Sequence, residues 1–176
     1  MVKAAAVVTG DGSELQSLID GLFFGEIPDF TVSAVVATER GSRALARSES
    51  AGIPGYEVDA AIFPNAATFT RALTAKLLDL DADIAILVGV EPEPEEGLYR
   101  AFAGRCVCLR IARGADTVSA AAVLADADGS EARRFGRVSV PAVPDESAAA
   151  LHRCLTENGA GQLLSDALKQ FMRDFH

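Results

Sequence analysis

At 176 residues, with 49% hydrophobic and 23% charged side chains, the chain has the makeup of one folded domain rather than of a disordered segment. A net charge of −9 argues against nucleic acid or an anionic membrane as partner, and no apolar run reaches the roughly 20 residues of a membrane span. Three cysteines without secreted-protein spacing point to a reducing, cytoplasmic setting.

The pattern alternates strand and helix. Lys3 to Thr9 is short and apolar, as a strand buried on both faces should be, and it runs straight into a turn instead of continuing as a signal peptide would. After Gly10-Asp11-Gly12 a helix opens at Ser13, and Gln16 three residues on suggests a capping box. Leu15, Leu18, Ile19 and Leu22 fall on one face of that helix. Phe30 to Ala37 reads as the second strand. The helix after it, from about Ser42, stops at Ala51-Gly52-Ile53-Pro54, where Gly supplies a left-handed cap and Pro cannot continue. Tyr56 to Val58 is a short third strand, and Thr68 to Leu80 a helix.

Asp83 to Val90 is the most apolar strand and belongs at the centre of the sheet. Cys106 to Ile111, Val118 to Leu124 and Arg134 to Val140 follow as strands, the last two joined into an antiparallel hairpin by a turn over Asp126 to Glu131. From Glu146 the chain is helical, with a break near Asn158-Gly159. The expected fold is a three-layer, Rossmann-like α/β domain spanning 1–176, its sheet mostly parallel and twisted with an antiparallel hairpin at one edge. Ligands in such folds bind beyond the carboxyl ends of the strands. That rule selects Gly10–Ser13, Gly89–Glu96, Arg110–Thr117 and Ala125–Glu131.

Gly10, Asp11, Gly12 and Ser13 join a strand to a helix N-terminus, where backbone N–H groups and the helix dipole can hold a phosphate; a plain tight turn explains the same glycines. Val88, Gly89 and Val90 end the central strand. Arg110 and Arg113 at a strand's carboxyl end suit an anion clamp or pairing with nearby carboxylates. The run Glu91-Pro92-Glu93-Pro94-Glu95-Glu96 reads as a solvated loop leading into a helix, or as a site for a cation or basic partner. Cys106 and Cys108 share a strand face as small buried residues. His152 and Cys154 point different ways on a helix, and no residue set carries metal-ligand spacing.

The stretch Thr9-Gly10-Asp11-Gly12-Ser13-Glu14-Leu15-Gln16-Ser17-Leu18-Ile19-Asp20 resembles the opening of the glycinamide ribonucleotide formyltransferases, a folate-dependent family. There this loop usually reads Gly-Asn-Gly-Ser/Thr-Asn-Leu-Gln and grips the substrate phosphate. The similarity continues through Ala51-Gly52-Ile53-Pro54, Asp83-Ile84-Ala85-Ile86-Leu87-Val88-Gly89 and Arg100-Ala101-Phe102-Ala103-Gly104-Arg105, and thins beyond residue 111 to Val138-Ser139-Val140-Pro141 and the final helix.

The departures fall on the chemistry that the resemblance implies. After Gly-Arg the family strand carries Asn, an apolar residue and His; Cys108, Leu109 and Arg110 occupy those places. A thiol is a poor oxyanion donor, and a guanidinium cannot act as a base near neutral pH. The family's Asp comes from a late Asp-Gly-Gly loop, matched by Asp128, with Asp126 close by, beside Gly129-Ser130. A Pro-rich loop and helix that wall the family's site shrink here to Ala112-Arg113-Gly114-Ala115-Asp116-Thr117. Asp11 and Glu14 stand where the family has Asn, and both repel a phosphate dianion.

The expectation is a formyltransferase-like protein that does not transfer formyl groups and serves as a small-molecule-binding, interaction or regulatory module, with no assigned cofactor or metal. The alternative is an active folate-dependent formyltransferase of purine-biosynthesis type. It would use 10-formyltetrahydrofolate, with Arg110 as electrostatic clamp and Asp126 or Asp128 managing protons. A third reading, from the fold alone, is a binding domain for an unrelated nucleotide or phosphorylated metabolite. The partners left open are a small phosphorylated metabolite, a protein, or a second copy in a homodimer.

Overall fold

In chain order the elements are β1 (Val2–Val8), α1 (Ser13–Phe23), β2 (Phe30–Ala37), α2 (Arg43–Ser50), β3 (Gly55–Glu57), α3 (Ala66–Asp79), β4 (Ile84–Val88), α4 (Glu96–Ala101), β5 (Cys106–Arg113), β6 (Thr117–Ala125), β7 (Glu131–Pro141), α5 (Ala148–Glu157) and α6 (Ala160–Asp174). The computed structural model describes residues 1–142 and 147–175; the expected helix start at Glu146 lies outside them. No helix among the described residues is long and apolar enough to cross a membrane.

One seven-stranded sheet has the order β3-β2-β1-β4-β5-β6-β7. The pairings from β3 through β5 are parallel, and β6 and β7 close the sheet in antiparallel fashion. β1 and β4 lie at its heart. Their residues from Ala4 to Val8 and from Ile84 to Val88 are buried on both faces, which is why both read as apolar runs without alternation. Ala4, Ala6 and Val8 face one core layer with Leu15, Leu18 and Leu164. Ala5 and Val7 face the other with Phe69, Leu73 and Phe102.

Local chemistry sets the helix ends. Ser42 caps α2 by accepting from the Ala44 N–H, and Gly52 at φ 72 ends it, with the Ile53 N–H bonded back to Ser48 O. Asn65 accepts from the Thr68 N–H, so α3 begins two residues before the expected Thr68. The capping box expected at Ser13 does not form. Gly12, left-handed at φ 79, is the N-cap, and the Gln16 side chain turns to Asp20 and Arg47 instead. α4, only 6 residues long, is too short to show a periodic pattern.

α6 packs its buried stripe of Leu164, Ala167, Leu168, Phe171 and Met172 under the sheet and beside α1. The two helices approach closely at Gly161, where a Cβ would come within 2.4 Å of Ser17 Cβ. Each edge of the sheet is blunted. β3 has only 3 residues. β7 is largely exposed, with Arg133 paired to Asp174 and Arg134 to Glu131.

The central position of β4 makes a direct prediction. Ile86 is fully buried and sits between Ala6 and Val107. Its replacement by Ala should lower unfolding stability by about 2–5 kcal/mol in a denaturant titration, through lost burial and the cavity left behind.

Candidate functional site

Strand addition reverses between β1 and β4. From β1 the sheet grows outward through β2 and β3, then restarts on the other side with β4 and β5. A crevice opens beyond the carboxyl ends of strands at such a point. Here it has two adjoining parts, a cleft over β4 and β5 and a notch at the loop after β1.

The cleft has a volume of about 340 Å³ and is lined by Leu87, Gly89, Val90, Glu91, Glu93, Pro94, Tyr99, Cys108, Leu109, Arg110, Ile111 and Ala112. Arg110 commands it. Its Nη2 donates to Gly129 O at 2.5 Å and lies 3.8 Å from Glu93 Oε1, and the guanidinium sits 5.8 Å from the centroid of the Tyr99 ring. The Tyr99 hydroxyl in turn donates to Glu93 Oε1 at 3.4 Å, and burial pushes its phenol well above the usual range. Glu93 thus borders the cleft while its side chain stays 68% exposed, in keeping with a solvated loop over Glu91–Glu96.

Beneath Arg110, Cys106 and Cys108 are buried with their Sγ atoms 3.7 Å apart. The hydrogen bond between them lowers the Cys108 thiol and raises that of Cys106; burial opposes the first shift, and the Arg110 charge adds to it. The expectation of a shared strand face holds, and Cys108 also reaches the cleft.

The notch is built around the first loop. Asp11 Oδ1 accepts from both the N–H and the Oγ–H of Ser13. Burial works to raise the Asp11 carboxyl, but these bonds outweigh it and hold the group below its ordinary value. From α2, Ser42 donates to Gly10 O and Arg47 Nε to Asp11 O. Thr9 Oγ1 accepts from the Glu91 N–H, fastening this loop to the one after β4. Glu14, 1% exposed, is hydrogen-bonded through Oε1 to His152 Nδ1 at 3.0 Å. That bond above all raises the His152 pKa, against the opposing effect of burial, with Asp11 and Glu91 adding to it.

Of the residues selected from the sequence, Gly89, Val90, Cys108 and Arg110 meet in the cleft, and Gly10 to Glu14 form the notch beside it. Val88 is buried in the strand, its carbonyl accepting from the Thr9 N–H. Arg113 stands at the exposed end of β5, outside the cleft lining. Asp128 is exposed too, and its Oδ1 is taken by the Ser130 N–H and hydroxyl; Asp126 accepts from the Ala127 N–H. The turn that carries them reaches the cleft through Gly129 O. Sequence reasoning missed Tyr99 and the Glu14–His152 pair. One signal for the pair was available: Glu14 precedes Leu18 by four positions and so lies on the apolar stripe of α1, where an unpaired carboxylate would not be tolerated.

Glycinamide ribonucleotide transformylase 1 from Symbiobacterium toebii superposes with a TM-score of 0.80 at 20% identity, over 99% of this chain and 89% of that one. The fold is that of the glycinamide ribonucleotide formyltransferases. The same enzyme from Geobacillus kaustophilus gives 0.74 at 19% identity, over 97% and 98% of the two chains. Phosphoribosylglycinamide formyltransferase from Bacillus halodurans gives 0.78 at 15%, over 99% and 97%. No protein-family model matches the chain, and no curated protein is significantly similar to it in sequence. At these identities the likeness establishes a common architecture, and the residues of the site have to be weighed on their own.

The Glu14–His152 pair has a pH signature. A folded-state pKa above the ordinary 6.5 contributes stability that is fully present below pH 6.5 and is lost as pH rises through the folded value. The stability difference between the wild type and His152→Asn should therefore be largest near pH 6 and shrink towards pH 9, as read from urea midpoints at each pH.

Proposed function

We propose that this chain is a formyltransferase-like binding module that does not transfer formyl groups by the family's route and holds a small ligand in the cleft over β4 and β5. One observation carries this reading: the Arg110 guanidinium stands where the resemblance calls for a histidine base, already committed to Gly129 O and Glu93. A fixed cation cannot cycle a proton at neutral pH. Below it, the place of an oxyanion-donating amide is held by the buried Cys108 thiol, whose hydrogen-bond partner is Cys106.

The cleft supports binding. Its volume of about 340 Å³ falls in the range of small-molecule sites, and apolar groups such as Leu87, Val90, Leu109 and Ile111 surround one arginine and two glutamates. The carboxylates of Glu91 and Glu93 disfavour the anionic tail of a folate. A small molecule with an apolar body and one polar end is the better match, in the reducing cytoplasm that the free cysteines suit.

Purified protein should give no formyl transfer from 10-formyltetrahydrofolate to glycinamide ribonucleotide above background, and neither compound should raise its melting temperature. Steady turnover that disappears in Arg110→Ala would falsify the reading and make the chain a working formyltransferase.

The first loop carries a second expectation. Its leading donor, the Ser13 N–H, is occupied by Asp11, and Glu14 adds a buried carboxylate one residue on. A unit charge about 4 Å from an incoming phosphate opposes it by about 4 kcal/mol at an effective dielectric near 20. Calorimetry on the wild type should detect no inorganic phosphate binding. Asp11→Asn combined with Glu14→Gln should introduce weak, salt-sensitive binding; no gain would mean that the loop serves only as a turn.

A further inference from the structure

Glu14 and His152 are 138 positions apart and meet at the carboxyl ends of β1 and β4, the switch point of the sheet. The carboxylate is buried in the first turn of α1, and the imidazole is 13% exposed. Nδ1 is engaged by Glu14, whereas Nε2 makes no hydrogen bond among the described residues and is not sealed from solvent. A carboxylate that fixes one ring nitrogen and leaves the other facing a crevice is the arrangement by which a histidine is oriented for proton transfer.

Two glycines make room for the ring. A Cβ at Gly89 would lie 3.2 Å from His152 Cε1 and 3.1 Å from Ile111 Cδ1, and one at Gly10 would lie 3.8 Å from Cε1. Gly89 thus lets the His152 ring and the cleft-wall residue Ile111 both approach one backbone position, which places the ring next to the end of the cleft. A merely mechanical tie between α1 and α5 needs no buried carboxylate, since an apolar contact of similar volume serves as well or better.

We propose that His152, oriented by Glu14, is a proton-transfer residue of this crevice, with Nε2 accepting a proton from an uncharged or cationic ligand that carries an amine or hydroxyl. The charge around the ring sets the ligand class. Glu14 on α1, Asp11 on the loop after β1 and Glu91 on the loop after β4 all bear on His152, and the cation Arg47 is held at Asp11 O and Gln16 Oε1. Three carboxylates favour a cation and repel an anion. The proposal rests on the reading of the crevice as a ligand site but not on the state of Cys108 or Arg110.

The probe is p-nitrophenyl acetate, an uncharged ester. Nε2 takes a proton from a water molecule as the water oxygen bonds to the carbonyl carbon, the ester C–O bond breaks as p-nitrophenolate departs with the bonding pair, and the acetic acid and imidazolium formed give up their protons to solvent. His176, the second of the 2 histidines, is first replaced by Asn to leave one imidazole. In this parent, p-nitrophenolate release should rise with pH through an inflection above 6.5, the ordinary histidine value. It should fall about 100-fold on adding His152→Asn, the lower end of what a placed general base contributes. Glu14→Gln should move the inflection to lower pH, and Glu14→Asp should move it back towards the parent. A carboxylated analogue of the ester should react more slowly than the neutral one at low salt, with the gap closing as salt is added.

The idea is sunk by a release rate unchanged in His152→Asn, by an inflection that ignores Glu14→Gln, or by an anionic ester that reacts as fast as the neutral one. Should Glu14→Gln fail to fold, the titration of the His152 ring protons by NMR in the parent and in Glu14→Asp decides the same point; identical midpoints would overturn the positioning role. Formyl transfer is read in a separate assay, so failure here leaves the reading of Arg110 untouched, and turnover there leaves the dyad standing.

Discussion

Everything that shapes the crevice hangs from the pairing of β1 with β4. The two strands run side by side from Ala4–Ile84 to Val8–Val88, sealed on both faces, and their loops diverge only at the carboxyl ends. The hydrogen-bonded ladder therefore fixes where Gly10 and Gly89 stand, and these two positions fix where a ring from α5 can lodge. The small residues Ala4, Ala5 and Ala6 matter in the same way, since they let a helical layer settle close on each face.

Within that frame the charges are arranged against each other. Arg110 meets Glu93 and a carbonyl, Glu14 meets His152, and Asp11 meets the N-terminus of α1. Each pairing lessens the cost of burying its members and uses up a group that an anionic substrate would otherwise engage. Groups already paired with one another in this way are less available to a phosphate or a folate tail.

The strands and most helix ends were legible because their causes are local. A short apolar run with no alternation can only be a strand covered on both faces, and Ala51-Gly52-Ile53-Pro54 contains every element of its own helix stop. The region of the crevice was legible too, from the rule that ligands gather beyond the carboxyl ends of parallel strands. What escaped were contacts without a local cause. Nothing near Glu14 announces a histidine on α5, and nothing in the acidic run marks Glu93 as the carboxylate that meets Arg110 and Tyr99. The Ser13–Gln16 spacing misled in the opposite sense, because Asp11 reached the first helical N–H before a Ser13 cap could form.

The blunted margins of the sheet bear on how copies of the chain can meet. Joining two sheets into one continuous ribbon needs a long strand whose outer backbone groups are free and whose side chains admit a neighbour. On one margin β3 offers 3 residues, too few for a stable ladder. On the other, β7 is 11 residues long but carries Arg133, Arg134 and Arg137, and the register of its pairing with β6 shifts twice, between Ala122 and Val123 and between Leu124 and Ala125. Two such strands laid edge to edge would bring like charges together along a bent rim. Self-association by strand addition is thereby discouraged.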